Sequence, residues 1–428
     1  MNRKLLACSI LAAALSGSAS HAQTTLNGGG SSIAFPTYAA EFAAYTQAHP
    51  TIQFSYAAVG GGTGQTAFLT NNITLFSNPP AGTLTYGTVV GSQVDFSTSE
   101  AFLVASQLTN PATGSYGTTT VGSAVDGPLI QVPSFGVPIV LAYNEPGVSL
   151  TLTDNQLCGV LSGKITDWNL LDSAIPAGTT IEVVYFSNSS GASFLTTQHL
   201  NAVCNSSNSN FPVLPVPITT HFVASSGGVF TTTNVPLNFT GAAAAGSVTN
   251  ALLNTSNSIG YLSPDYTSIA PHSSNTTSLA VASLVNSIDG KAYQPTVANT
   301  TLGLANGDPD NSSNTKPPAN KTAAMDPLNW VPSIAQTLKG YPIVGYSTID
   351  LSSCYADAAA GTSLVSFLKA EYSTASYKSI ITNNGFVPLL NSAAAPYVKS
   401  VENVFLSNNS GYKLNIDNKK LCAGLQGR

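Results

Sequence analysis

The sequence predicts an α/β protein of two domains that is exported and disulfide-bonded. Three observations predict this. Strand-like and helix-like segments alternate along the chain. Leu129 to Tyr143 is a nearly continuous apolar run, as strands buried on both faces of an α/β sheet require. With 428 residues, 43% of them hydrophobic, the chain is long enough for two or three domains with sizeable cores.

The elements follow in order. Arg3 and Lys4 form a short positive segment, and Leu5 to Leu15 an apolar run too short for a bilayer. Ser20-His21-Ala22 is a small-residue cleavage site before Gln23. Residues 1–22 are therefore expected to be a signal peptide, with the rest released to the periplasm or the medium. Cys8 precedes most of the apolar run, which argues against a lipoprotein box. Ile52 to Val59 is β-branched and aromatic and reads as a strand. Gly60 to Gly64 turns the chain, and Gln65 to Leu69 opens a helical pattern. Asp95 to Thr98 is a short strand end. Thr153 caps a helix that stops at Gly159 or Gly163. Ile181 to Phe186 reads as a strand, and Ser189-Ser190 caps a helix from Ala192 to about Val203. Ile259 to Leu262 and Leu279 to Val285 are later strands. Leu364, Phe367, Leu368 and Tyr372 share one helical face, as do Val398, Val401 and Phe405. No later run is long and apolar enough to insert in a membrane.

Only 8% of residues are charged, against a usual ~25%, so Ser, Thr, Asn and Gly supply the surface polarity. The net charge of −5 offers no basic face for nucleic acid. Arg3 and Arg428 are the only arginines, so the folded interior is expected to hold none. A ligand would then be bound without a bidentate guanidinium clamp. Beyond the signal peptide stand Cys158, Cys204, Cys354 and Cys422, an even number that reads as two disulfides in an oxidising compartment. Three pairings are open, and the grouping along the chain favours Cys158–Cys204 with Cys354–Cys422. No pair has the close spacing of a zinc site.

Three glycine-rich turns open helices: Gly28 to Ser32, Gly60 to Gly64, and Asn188 to Gly191. The unpaired N–H groups of a helix N-terminus suit anions or polar groups, although an ordinary capped loop looks the same. Gly60 to Thr66 is no P-loop, because Gln65 stands where the lysine belongs. His49, His199, His221 and His272 have no metal spacing, and there is no H-E-x-x-H or G-x-S-x-G pattern. Ser190 with His199 is the nearest nucleophile–base pairing, and reads more simply as a cap followed by a polar helix residue. The Asp-rich stretch within Asn306 to Lys321 lacks the order of a calcium loop. Trp168 and Trp330 read as packing residues. No catalytic residue, metal or cofactor is expected.

Six segments carry a wider likeness. They are Asn27 to Ser32, Val94 to Glu100, Leu129 to Pro133, Leu157 to Trp168, Gly340 to Tyr346 and Asn384 to Leu389. In order and spacing the chain resembles the phosphate-binding proteins of bacterial phosphate ABC transporters (PstS type), and most closely their secreted DING-type branch. The resemblance implies a two-lobed, type II periplasmic-binding-protein-like α/β fold with the ligand cleft between the lobes. Lobe I would be 23–135 plus 347–428, and lobe II 142–340. The crossings would lie near Phe135 to Ala142 and Gly340 to Tyr346. Each disulfide then falls inside one lobe and leaves hinge closure free. The implied function is capture of phosphate or a related oxyanion by a monomer that serves an ABC transporter permease. Phosphatase activity in some DING-type relatives adds a phosphoesterase as an alternative, and the low-charge surface adds an extracellular scaffold or adhesive protein.

Carried over residue by residue, the implied ligand positions are Ser32, Ile33, Gly61, Glu100, Phe186, Ser190, Gly191 and Ala192. Ser32 keeps the family's hydroxyl and Ile33 its backbone N–H. Gly61 replaces a serine, Glu100 an aspartate that takes a proton from hydrogen phosphate, and Ala192 a threonine. Phe186 stands in place of the arginine that pairs with phosphate. A charge-assisted hydrogen bond is worth roughly 1.5–3 kcal/mol, so these losses are expected to cost phosphate several decades of affinity. Two readings follow. Phosphate is held weakly by Ser32, Ser190 and backbone amides, or a less charged ligand stacks on Phe186 and bonds to Glu100.

Overall fold

A computed structural model describes residues 23–145, 147–205, 209–211, 216–307, 316–392 and 394–428. The expected signal peptide and most of the Asp-rich stretch lie outside them. In chain order, the strands of the two large sheets are β1 (Thr24–Gly30), β2 (Ile52–Ala57), β3 (Thr85–Tyr86), β4 (Phe96–Ser99), β5 (Leu129–Pro138), β6 (Val140–Asn144), β7 (Glu182–Phe186), β8 (Phe239–Ala242), β9 (Ser258–Leu262), β10 (Ala280–Val281), β11 (Val344–Ser352) and β12 (Val387–Pro388). The helices that matter here are α1 (Phe35–Ala48), α2 (Gly61–Thr70), α3 (Asp154–Leu161), α4 (Gly191–Val203), α5 (Ala245–Asn254), α6 (Ala358–Ser373) and α7 (Ala395–Val404).

The first sheet runs β12-β5-β11-β4-β1-β2-β3 and the second β8-β7-β9-β6-β10. In the first, β1 is parallel to β2 and β4, while β11 is antiparallel to β4 and β5. In the second, β7 is parallel to β8 and β9, and β6 is antiparallel to β9. The apolar run from Leu129 to Tyr143 is two strands, β5 and β6, and they belong to different sheets. Ile139 is the single residue between them, and its N–H donates to Ile343 O at 3.0 Å. Tyr341 donates its hydroxyl to Ile139 O at 2.8 Å. The two passages between the sheets therefore run side by side.

Helix α1 covers the first sheet through aromatic packing. Phe42 stacks on Phe54 at 4.3 Å and meets Phe96 at 5.7 Å and Phe367 of α6 at 5.5 Å. Thr153 and Gln156 form a capping box at the start of α3, as the sequence led one to expect. Helix α2 begins four residues before the helical pattern shows, because its first turn is glycine, which carries no apolar signal. Disulfides join Cys158 to Cys204 and Cys354 to Cys422. The first ties α3 to the end of α4, inside the half of the chain that forms the second sheet. Trp168 and Trp330 are fully buried.

The expectation of an arginine-free interior is overturned. Arg428 is only 2% exposed. Its guanidinium donates to Ser352 Oγ (2.7 Å), Val94 O (2.6 Å), Phe68 O (3.0 Å), Tyr116 Oη (2.8 Å) and Asp126 Oδ2 (3.0 Å). It also lies over the Phe68 ring at 4.0 Å. The sequence placed this residue at a chain end, where exposure is the ordinary expectation, and the fold turns it inward. Among the described residues no helix is long and apolar enough to cross a membrane.

Candidate ligand-binding site

The site begins where β1 ends. Gly30 has φ +132°, and a Cβ there would strike Thr98 O. Only glycine lets the chain turn so close to β4. Ser31 N–H then donates to Thr98 O at 2.9 Å, and Tyr56 donates its hydroxyl to Ser31 O at 2.9 Å. These bonds fix Ser31 so that its own hydroxyl donates to Glu100 Oε1 at 2.6 Å. Ser347 of β11 donates to the same oxygen at 3.1 Å.

Glu100 is 1% exposed, and its Oε2 has no hydrogen-bond partner. That oxygen faces Gly191, where an added Cβ would collide with it. Gly191 is the first residue of α4, so the carboxyl group sits against a helix N-terminus. Burial pushes Glu100 up to about 7, against the pull of the Ser31 and Ser347 hydroxyls. The group is therefore poised between acceptor and donor near neutral pH.

The other expected positions fall into two sets. Ser190 caps α4, accepting from Ala192 N–H at 3.1 Å, and its own N–H donates to Thr220 O at 2.8 Å. Ser32 Oγ accepts from Ala245 N–H at 3.2 Å, the first residue of α5, and Ile33 O accepts from Ser263 Oγ at 2.7 Å. Gly61 opens α2 against Ser99, whose hydroxyl lies where a Cβ would go. A hydroxyl from β4 thus occupies the space beside a position that has none. Phe186 stands apart from these. Its ring is buried in the second sheet, 5.6 Å from Tyr261, whose hydroxyl pairs with Ser193 Oγ at 2.9 Å. A cavity of about 350 Å³ adjoins Gly62, Phe102, Ser189, Phe194 and Thr220, between α2 and the start of α4.

Three participants were missed in the sequence. Ser31 is one position from a named residue, and its place in the Gly28 to Ser32 turn was the available signal. Ser347 and Asp265 come from distant segments and carry no local sign. Asp265 is fully buried behind Ser263, with one oxygen unpartnered. His199 does not meet Ser190. It bonds Asp154 at 3.1 Å and sits 3.3 Å from Ala335 O. Burial would push Asp154 up, but His199 beside it carries the carboxyl below its ordinary range. Among the described residues no group of three His, Cys, Asp or Glu is placed to hold a metal.

A family model described as a PBP superfamily domain matches residues 17–306. The chain belongs to the PBP superfamily. Its fold is the type II form, two lobes with a cleft between them, built on the two sheets described above. Alkaline phosphatase L of Pseudomonas aeruginosa is 32% identical over 415 residues, covering 95% of this chain and 96% of that protein. Among solved structures, a high affinity periplasmic phosphate-binding protein bound with phosphate matches at TM-score 0.72 and 28% identity, over 95% of this chain and 99% of the other. A DING protein matches at TM-score 0.71 and 27% identity, over 94% and 99%. The likeness to DING-type phosphate-binding proteins read in the sequence therefore holds. In this PBP superfamily member the described contacts of Glu100 are with serine hydroxyls and of Phe186 with Tyr261, and the Arg428 guanidinium is engaged elsewhere, with Asp126.

Proposed function

We propose that this protein is an extracytoplasmic solute-binding protein that captures phosphate or a related small oxyanion by closure of two lobes. The lobes are 23–135 with 347–428, and 142–340. One observation carries the reading. Elements of both halves converge on the Glu100 carboxyl: Ser31 after β1 and Ser347 within β11 bond one oxygen, and the N-terminus of α4 meets the other. Such a junction offers N–H groups, hydroxyls and a protonatable acid to an oxyanion, which is the donor set it needs. Phosphate bound to the solved relative supports the ligand class. Release by cleavage near Ala22, a monomeric state and delivery to a permease complete the proposal.

Calorimetric titration of refolded protein with phosphate, arsenate and sulfate tests it. Phosphate binding with Kd of about 1 µM or weaker is expected, a binding free energy of no more than about 8 kcal/mol in magnitude. Absence of phosphate binding at every pH would refute the reading. A second reading, a secreted phosphoesterase, rests on the kinship with alkaline phosphatase L. Turnover of a chromogenic phosphate ester that disappears in Ser190→Ala or Glu100→Gln would favour it.

A further inference from the structure

The cavity of about 350 Å³ between α2 and the start of α4 is walled by both halves of the chain. Phe102 and Val104 come from one half, Phe194 and Ile218 from the other. The rings of Phe102 and Phe194 meet edge to face, 4.9 Å apart at 82°. Val104 is 43% exposed and Ile218 48%. Two large, exposed apolar side chains, one from each half, therefore share a single cavity, and such clustering marks a binding surface more than a scattered leucine does.

The polar side chains of the same wall are already bonded within the protein. Gln65 Nε2 donates to Ala101 O at 2.6 Å, and Thr66 Oγ1 donates to Gly62 O at 2.9 Å. Ser189 Oγ donates to Thr220 Oγ1 at 2.8 Å, and Gln107 Oε1 accepts from Val104 N–H at 2.9 Å. No lining side chain is ionisable. A group placed here meets apolar surface and satisfied dipoles. That suits a neutral, apolar group and penalises a charged one.

The cavity adjoins the Glu100 junction along three stretches of chain. Ala101 follows Glu100, Gly62 follows Gly61, and Ser189 precedes Ser190. Phe194 stands one helical turn beyond Gly191, against which the Glu100 carboxyl sits. An oxyanion at that junction therefore has this apolar space as its neighbour. The volume lies near the lower end of small-molecule sites, and holds about one aromatic ring.

We propose that this cavity is a subsite for the organic part of a substituted phosphoryl ligand, a phosphonate or phosphate monoester that carries one compact apolar or aryl group. This rests on the Glu100 junction being the oxyanion site. Inorganic phosphate has nothing to place against Phe102 and Phe194. A substituted ligand gains that contact in addition to the contacts of its oxyanion, so affinity rises with the apolar area of the substituent. The step is binding alone, and no bond is formed or broken.

The test is titration calorimetry of the whole protein with phenylphosphonate, methylphosphonate and inorganic phosphate at pH 5, where each carries about one charge. The two phosphonates share a head group and differ in the substituent. Phenylphosphonate should bind at least about tenfold more tightly than methylphosphonate. Phe102→Ala should bring the two within about threefold of each other. Thr66→Trp, at an exposed position of the wall, should do the same by filling the space, and keeps the location testable if Phe102→Ala does not fold. Equal affinity for the two phosphonates, or binding of inorganic phosphate alone, would overturn the subsite and leave the oxyanion site standing. A phenyl preference that survives the variants would also overturn it, since the ring would then lie elsewhere. Binding of none of the three ligands would instead remove the oxyanion site, and this inference with it.

Discussion

The Arg428 guanidinium makes five hydrogen bonds in a chain where charge is scarce. It closes the buried acceptors of Val94, Phe68 and Asp126 at once. Arg428→Met fills much of the volume but leaves those acceptors in the core without donors. The expected cost is about 3–5 kcal/mol, read as a lower urea midpoint with an unchanged denaturant slope. Nothing in the sequence marks this residue, because burial at a chain end is decided by what the rest of the fold leaves open. The site residues divide in the same way. Ser32 and Ser190 sit in glycine-rich turns that the sequence itself displays, whereas Glu100 is singled out only through the family resemblance. Ser31 meets Glu100 across 69 positions and Ser347 meets it across 247, and no local pattern encodes such contacts.

At the scale of elements, the capped helices were the clearest reading. Thr153 and Ser190 both accept the N–H bonds that their positions imply. The run from Leu129 to Tyr143 was read correctly as buried strand, but its division between two sheets was invisible. Hydrophobicity reports burial and says nothing of which layer does the burying. Helix α2 was read late because glycine hides a first turn that the neighbouring Ser99 and Ser189 side chains require to be small. The Cys158–Cys204 bridge fastens α3 to the end of α4, whose first turn meets Glu100. Replacing both cysteines by serine opens a loop with a sequence separation of 46 and should cost about 4 kcal/mol in the chain-entropy model. Denaturation of the double variant beside the oxidised parent measures it.

The whole molecule carries an unusual set of buried acids. Burial pushes Asp95, Glu100 and Asp350 up to about 7 and Glu371 up to about 8. Glu371 accepts from Ser134 and faces Glu41, itself raised by burial and by Glu371. In the unfolded chain such groups ionise near pH 4. Between that pH and about 8 the folded state therefore holds more protons than the unfolded one, and stability falls as pH rises. The stabilisation is full below the unfolded values and gone above the folded ones. Thermal melting should be roughly 5–15 °C higher at pH 5 than at pH 8.5, and Glu371→Gln should make that decline shallower. The topology has a kinetic side as well. Strand β11 comes from residues 344–352, yet it lies between β5 and β4 in the middle of the first sheet. All five strands of the second sheet come from the uninterrupted stretch 140–281. The second lobe can finish on its own segment, while the first must wait for a strand made more than two hundred residues after its neighbours. Closing that long loop is slow relative to local pairing. In refolding followed by pulsed hydrogen exchange, amides of β7 and β9 should be protected before those of β4 and β5. The half of the protein that begins first is the half that is completed last.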